Sequence, residues 1–271
     1  MKRFMVAVDL EGVACALPQF GGSVEDSFNI AFVREQATRE ADAAARALFA
    51  GGADEVVVWD NHGRGCSLNY RELDSRVEIA IGATVGCRIP DEGKELAGLV
   101  LIGYHAMEGT PQAVMAHTFS SVTYQGIAIN GENWGEMAFD ACAVGDHGCP
   151  IIFVSSDDAG CREARRFFPW VETVATKRSL AFTRIVSLHP DAAVERIYAG
   201  VKRALERYDE MKPFVVPGPV RCEIRYKRLD AAQHAHLVDR EGKAFGFLDP
   251  FTRFGMVDRP WGFMLPDGPR G

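Results

Sequence analysis

No apolar run in this 271-residue chain approaches the roughly 20 residues that a membrane span needs. The strand-like segment after Met1-Lys2-Arg3 is too short for a signal peptide. A cytoplasmic protein with no membrane partner is therefore expected. A basic run or stripe is also missing, and the net charge is −7. Binding to a phosphate backbone needs clustered Lys and Arg, so a nucleic-acid partner is not expected. No C-x-x-C occurs, and the seven cysteines are scattered and odd in number. A disulfide framework or zinc ribbon is not expected. Reduced thiols fit better, with Cys87 and Cys142 as small core residues. Four further motifs are absent: G-x-x-x-x-G-K-[ST], G-x-G-x-x-G after the first strand, G-x-S-x-G and H-E-x-x-H. Gly63-x-Gly65 lacks the third glycine. These gaps argue against nucleotide binding by those routes, a serine-hydrolase elbow and that class of zinc peptidase.

What is present is an ordinary globular composition, 47% apolar and 25% charged. The length suits one large domain, or a main domain with a smaller companion. Phe4 to Val8 reads as a buried strand ending in Asp9, Glu11 and Gly12. Residues i and i+2 of an extended chain point to the same side, so the two carboxylates can converge. Gly12 lets the backbone turn away at once. Two convergent carboxylates repel unless a cation or proton lies between them. An isolated D-x-E is more often a solvated strand end that caps the next segment. The pair gains weight only if other ligands arrive at the same place.

The spacing predicts a helix from about Phe28 to Ala50, with Gly51-Gly52 as its left-handed cap. A second strand, Glu55–Asp60, completes a strand–helix–strand unit of a parallel sheet. Further strands are expected at Arg76–Ile81, Leu96–Gly103, Val122–Asn130, Cys149–Ser155 and Val171–Ala175. Asn130-Gly131 is a turn signal. Helices are expected from about Trp134 to Ala143, after Asp157-Asp158 to Phe168, and from Asp191 to Tyr208, with Pro190 at the opening turn. After Lys212 come an extended Val215–Tyr226, a short helix Asp230–Leu237, and a tail rich in aromatics, Gly and Pro. The expected fold is α/β, a mainly parallel sheet flanked by helices with a smaller α+β C-terminal domain. The boundary near Ser187 divides residues 1–187 from 188–271.

Asp9 and Glu11 end one strand, His62 follows a second, and His105 follows a third. In a parallel sheet these ends share one edge, where open α/β folds bind ligands. Glu136, early in its helix, can add a carboxylate, and His117 lies in a loop able to fold over the site. Singly, each has a plainer role: capping for His62, a sheet-edge hydrogen bond for His105, surface polarity for His117, dipole complementarity for Glu136. As a set they point to a metal. Mixed carboxylate and imidazole donors suit zinc, manganese or iron, and two acids from one strand favour a pair of ions.

Five motifs occur in order: Val8-Asp9-Leu10-Glu11-Gly12, Asp60-Asn61-His62, Gly103-Tyr104-His105-Ala106, Val114-Met115-Ala116-His117, and Asn130-Gly131 with Gly135-Glu136. They resemble the motif series of the DppA-type D-aminopeptidase family of zinc metallopeptidases. The likeness runs from about Lys2 to Pro190 and includes Ser156-Asp157-Asp158 and Lys177. It implies two zinc ions per subunit. Asp9 would bridge them, Glu11 and His105 would complete one, and His62 and Glu136 the other. His117 would be the catalytic histidine, proposed in the family as nucleophile. The family forms a ring-like homo-oligomer, a decamer, and removes N-terminal D-amino acids from short peptides. After about Lys227 the sequence departs from the family pattern.

An imidazole titrating near neutrality can carry a proton to the leaving amine, which favours His117 as general base and acid. Two other readings stand beside this one. One keeps the metals but acts on a lactam, another non-peptide amide or a phosphoester; Arg64 as the one basic residue beside the motifs counts against phosphate. The other is a non-catalytic, metal-stabilised peptide-binding or transport-associated protein, against which His117 beside a full ligand set argues.

Overall fold

The computed structural model describes residues 1–19, 23–82, 88–90 and 95–264. Cys87 lies outside them. The first strand, β1 (Arg3–Val8), is buried throughout. Its alternate side chains feed two cores: Phe4, Val6 and Val8 face one way, Met5 and Ala7 the other. Helix α1 (Ile30–Ala50) begins two residues later than its apolar spacing suggested. It stops where Gly52 takes φ +90° and Ala53 donates back to the Leu48 carbonyl. Next come β2 (Glu55–Asp60), a short β3 (Glu78–Ala80) and β4 (Gly98–Tyr104). A hairpin of β5 (Tyr124–Ile129) and β6 (Glu132–Asn133) turns at Asn130-Gly131, where φ is 51° and 85°.

Glu136 is the first residue of α2 (Glu136–Gly145). Strand β7 (Ile151–Asp157) leads into α3 (Asp158–Phe167), whose N-cap Asp157 accepts from the Gly160 amide at 2.8 Å. Strand β8 (Glu172–Ala181) is ten residues long, twice the expected Val171–Ala175. Its outer half is held by an antiparallel partner, β9 (Arg184–Ser187), which the sequence did not announce. Pro190 opens α4 (Pro190–Glu206). Then follow β10 (Val220–Tyr226), α5 (Leu229–His234), β11 (Gly246–Asp249) and β12 (Thr252–Val257). The last two strands lack clean alternation. They exist because β12 pairs antiparallel with β10.

Two sheets result. The main one has the order β3-β2-β1-β4-β7-β8-β9 and is parallel except at β9. Helices α1 and α4 cover one face through Val33, Leu48, Ile197 and Val201. The other face, with Met5, Trp59, Leu99 and Leu101, packs on α2 and on the second sheet. That second sheet, β11-β12-β10-β5-β6, is antiparallel. The α/β architecture is thus the expected one. Burying a side chain as large as Phe139, fully enclosed between the layers, contributes about 2–3 kcal/mol. The boundary expected near Ser187 falls between β9 and α4. Helix α4 packs back on α1, and β5 from the earlier part pairs with β10 from the later part. Among the described residues, no helix is long and apolar enough to cross a membrane.

Candidate metal centre

Strands β1, β2 and β4 run parallel, so their carboxyl ends meet on one edge of the sheet. Asp9 and Glu11 leave β1 there, His62 follows β2, and His105 follows β4. The ends of β1 and β4 come unusually close. Gly12 donates to the Gly103 carbonyl at 2.6 Å, and a Cβ on Gly12 would lie 1.9 Å from the Tyr104 oxygen. Gly103 has φ +71°, and a Cβ there would meet the Asp9 carbonyl at 2.2 Å. Only glycines allow this approach, and it brings the β1 acids against His105.

Asp9 turns one oxygen to each side. His62 Nδ1 lies 2.7 Å from Asp9 Oδ1 and 3.2 Å from Glu11 Oε2. His105 Nε2 lies 3.4 Å from Asp9 Oδ2 and 3.3 Å from Glu136 Oε1. His117 Nε2 is 3.8 Å from the same Glu136 oxygen, and its ring stacks on His105 with centroids 4.0 Å apart. Donor atoms of Asp9, Glu11 and His105 fall within 4.8 Å of one another, as do those of His105, His117 and Glu136. All six residues singled out in the sequence therefore meet. Glu11 Oε2 and His105 Nε2 are buried, and neither has a well-directed hydrogen-bond partner. Buried polar atoms are normally satisfied. A cation ligated by these atoms would satisfy both, so the residues fit a metal.

The second nitrogens fix the ring orientations. His105 Nδ1 lies 3.0 Å from the Ala106 carbonyl and His117 Nδ1 2.8 Å from that of Met115. Each carbonyl can only accept, so Nδ1 carries the proton and Nε2 is the free donor atom. His62 is reversed: Nδ1 faces the acids, and Nε2 meets Glu25 Oε1 at 3.1 Å. Burial and the neighbouring Glu11 charge raise the Asp9 carboxyl to about 7. Burial alone would depress the His62 imidazole, but Glu11 and Asp9 outweigh it and hold it up at about 12. Burial would likewise raise Glu136, yet His105 and His117 bring it down to about 2. Three crowded acids are thus balanced here by imidazolium charge, a task that metal ions perform with the rings neutral. His117 differs: burial first, then the charge of His105, lowers its pKa.

A second ring of side chains holds the loop after β1. Lys177, fully buried on β8, donates to the carbonyls of Glu11, Val13 and Ala16. Thr176 Oγ1 donates to the Gly12 carbonyl. Glu40 on α1 accepts from the Ala14 amide at 3.0 Å, while its other oxygen is buried and unpartnered. Burial raises the Glu40 carboxyl from 4.5 to about 7. A carboxyl raised on folding stabilises the protein most below its unfolded pKa, and that contribution fades as pH climbs from about 4.5 to 7. Glu40→Gln keeps the acceptor and carries no charge. It should melt higher than the parent at pH 8, by roughly 3 kcal/mol in unfolding free energy, and match it near pH 4. Chemical denaturation at the two pH values checks this; an equal effect at both would remove the ionisation account.

The model of a family described as D-aminopeptidase matches residues 1–243. The chain belongs to the D-aminopeptidase family. A D-aminopeptidase of Bacillus subtilis (strain 168) is 27% identical over 246 residues, covering 88% of this chain and 86% of that protein. The solved structure of the Zn-dependent D-aminopeptidase DppA from Bacillus subtilis, described as a self-compartmentalizing protease, superposes with a TM-score of 0.84. It is 24% identical, and the match covers 97% of this chain and 93% of that one. The family match thus runs past Lys227, after which a departure from the family pattern was expected, and the likeness in fold reaches past residue 243.

Sequence spacing missed several neighbours of the centre. Arg64 is exposed, and the cations that matter are Lys177 and Arg88. Arg88 pairs with buried Asp140. Asp140 carried a usable signal: it follows Glu136 by four residues and so shares its helix face. Glu25 and Arg88 carried none, because loops far apart in the chain bring them in.

Proposed function

We propose that this D-aminopeptidase family member is a zinc-dependent hydrolase that releases N-terminal D-amino acids from short peptides. Two ions per subunit would be held by Asp9, Glu11, His62, His105 and Glu136. The observation that carries this reading is the placement of Asp9, whose two oxygens face separate imidazoles. The family resemblance groups Glu11 with His105 and His62 with Glu136, whereas the short contacts group Glu11 with His62 and His105 with Glu136. In both groupings Asp9 is the shared residue. Outer support follows the usual carboxylate–histidine pattern, with Glu25 on His62 and backbone carbonyls on the other two rings.

When bound, zinc would polarise the scissile carbonyl and lower the pKa of water to about 7. The chain's own part is proton transfer and shelter. His117, with Nδ1–H held on Met115, presents Nε2 as the acceptor. It takes a proton from the attacking water as the C–O bond forms. It returns that proton to the amine nitrogen as the C–N bond breaks. Burial lowers its pKa, which favours the unprotonated ring that the first transfer needs. The Phe119 amide donates to Glu136 Oε1 at 2.7 Å and fixes that carboxylate.

The described cysteines are free thiols, which suits the cytoplasm. Assembly as a homo-oligomer, a decamer by resemblance, is consistent with the self-compartmentalizing relative. A zinc-reconstituted screen over paired L- and D-amino-terminal peptides tests the activity. Turnover of D-amino-terminal peptides is the expected result. Turnover of a phosphoester or lactam but of neither peptide series would sink the peptidase reading.

A further inference from the structure

A cavity of about 200 Å3 opens beside Glu136, on the face of the main sheet that packs against α2. Trp59, Asn61, Arg88 and Phe119 share its wall with Glu136. Arg88 is a half-buried cation in a fixed frame. Its guanidinium carbon lies 5.3 Å from the Trp59 ring centroid and 5.6 Å from that of Phe119. Nε donates to Asp140 Oδ1 at 2.6 Å, and Nη2 pairs with the same oxygen. The other Asp140 oxygen accepts from the Tyr104 hydroxyl at 2.6 Å and from Asn61 Nδ2 at 3.2 Å. Asp140 is thus satisfied. Among the described residues, the contact of Arg88 Nη1 is Asn61 Oδ1 at 3.5 Å, the outer limit of a hydrogen bond.

Asp60 also borders the cavity, but successive strand side chains alternate between faces. Trp59 faces the α2 side. The Asp60 carboxylate faces the other, where Oδ2 accepts from the Ser67 and Leu68 amides and the Tyr70 hydroxyl. Among the described residues that line the cavity, the cation with spare donors is Arg88. It repels a substrate ammonium and attracts a carboxylate, for which a planar guanidinium is the matched partner. The volume is below the roughly 300–1,000 Å3 of pockets for drug-sized ligands. A residue or two fits; an extended polypeptide does not.

We propose that Arg88 is a specificity-determining residue. Its Nη1 binds the terminal carboxylate of the leaving-group residue, restricting substrates to peptides short enough to place that carboxylate here. The proposal rests on the hydrolase reading above. The test compares kcat/KM for a D-alanyl dipeptide and for its C-terminal amide. Wild type should favour the free acid by about 10–100-fold, the worth of a hydrogen bond to a charged group. Arg88→Met should bring the acid-to-amide ratio to about one. That variant leaves Asp140 buried without its cation, so Arg88→Met/Asp140→Asn is measured beside it. A purely structural role would lower both substrates alike and leave the ratio unchanged, overturning the proposal. A wild-type ratio near one with ordinary turnover would overturn it too, while the hydrolase reading stood. Turnover of neither substrate by the zinc-loaded wild type would overturn the hydrolase reading and the anchor with it.

Discussion

Asp9→Ala is expected to purify nearly free of zinc, whereas Glu11→Ala keeps about one ion per subunit. The difference follows from position. Asp9 Oδ1 faces His62 and Oδ2 faces His105, so one side chain serves both halves of the centre. Glu11 offers Oε2 to the His62 side, and its backbone is held separately by Lys177. Removing the Glu11 carboxylate therefore leaves the loop in place and weakens one position. Loss of activity in Asp9→Ala should exceed the roughly 10–100-fold typical of an outer-shell partner. Metal analysis after gel filtration, with circular dichroism to confirm folding, makes the comparison. Equal zinc content in the two variants would show that Asp9 does not bridge.

His117→Ala should retain its zinc and lose about 10²–10⁴-fold in kcat, the usual worth of a positioned general acid–base group. His117 lies 3.8 Å from Glu136 and stacks on His105, so removing the ring also removes a packing contact. His117→Phe keeps a stacked ring without the proton carrier and separates the two effects. Both variants should be equally slow if proton transfer is what matters. Recovery of most of the rate in His117→Phe would instead assign His117 to packing, and full activity in His117→Ala would remove it from catalysis.

How far the sequence carries can be judged from particular residues. Strand β1, helix α1 and strand β2 were legible because burial imposes a short repeat on local sequence. The Asn130-Gly131 turn and the Asp157 cap were legible because a few residues suffice to satisfy their own backbone. Asp9, Glu11, His62 and His105 could be placed on one edge because parallel strands put their carboxyl ends together. The missing motifs narrowed the chemistry before any fold was known.

Other features depended on tertiary contacts. The length of β8 is set by β9, and β12 exists through its pairing with β10. Lys177 reaches the Glu11 carbonyl across 166 positions of sequence, and Arg88 reaches Asp140 across 52. No periodic pattern encodes such meetings; they follow from how the layers and loops close. The sequence determined which acids and imidazoles share the sheet edge. The tertiary structure decided which oxygen faces which ring, what holds the loop, and which cation waits in the adjoining cavity.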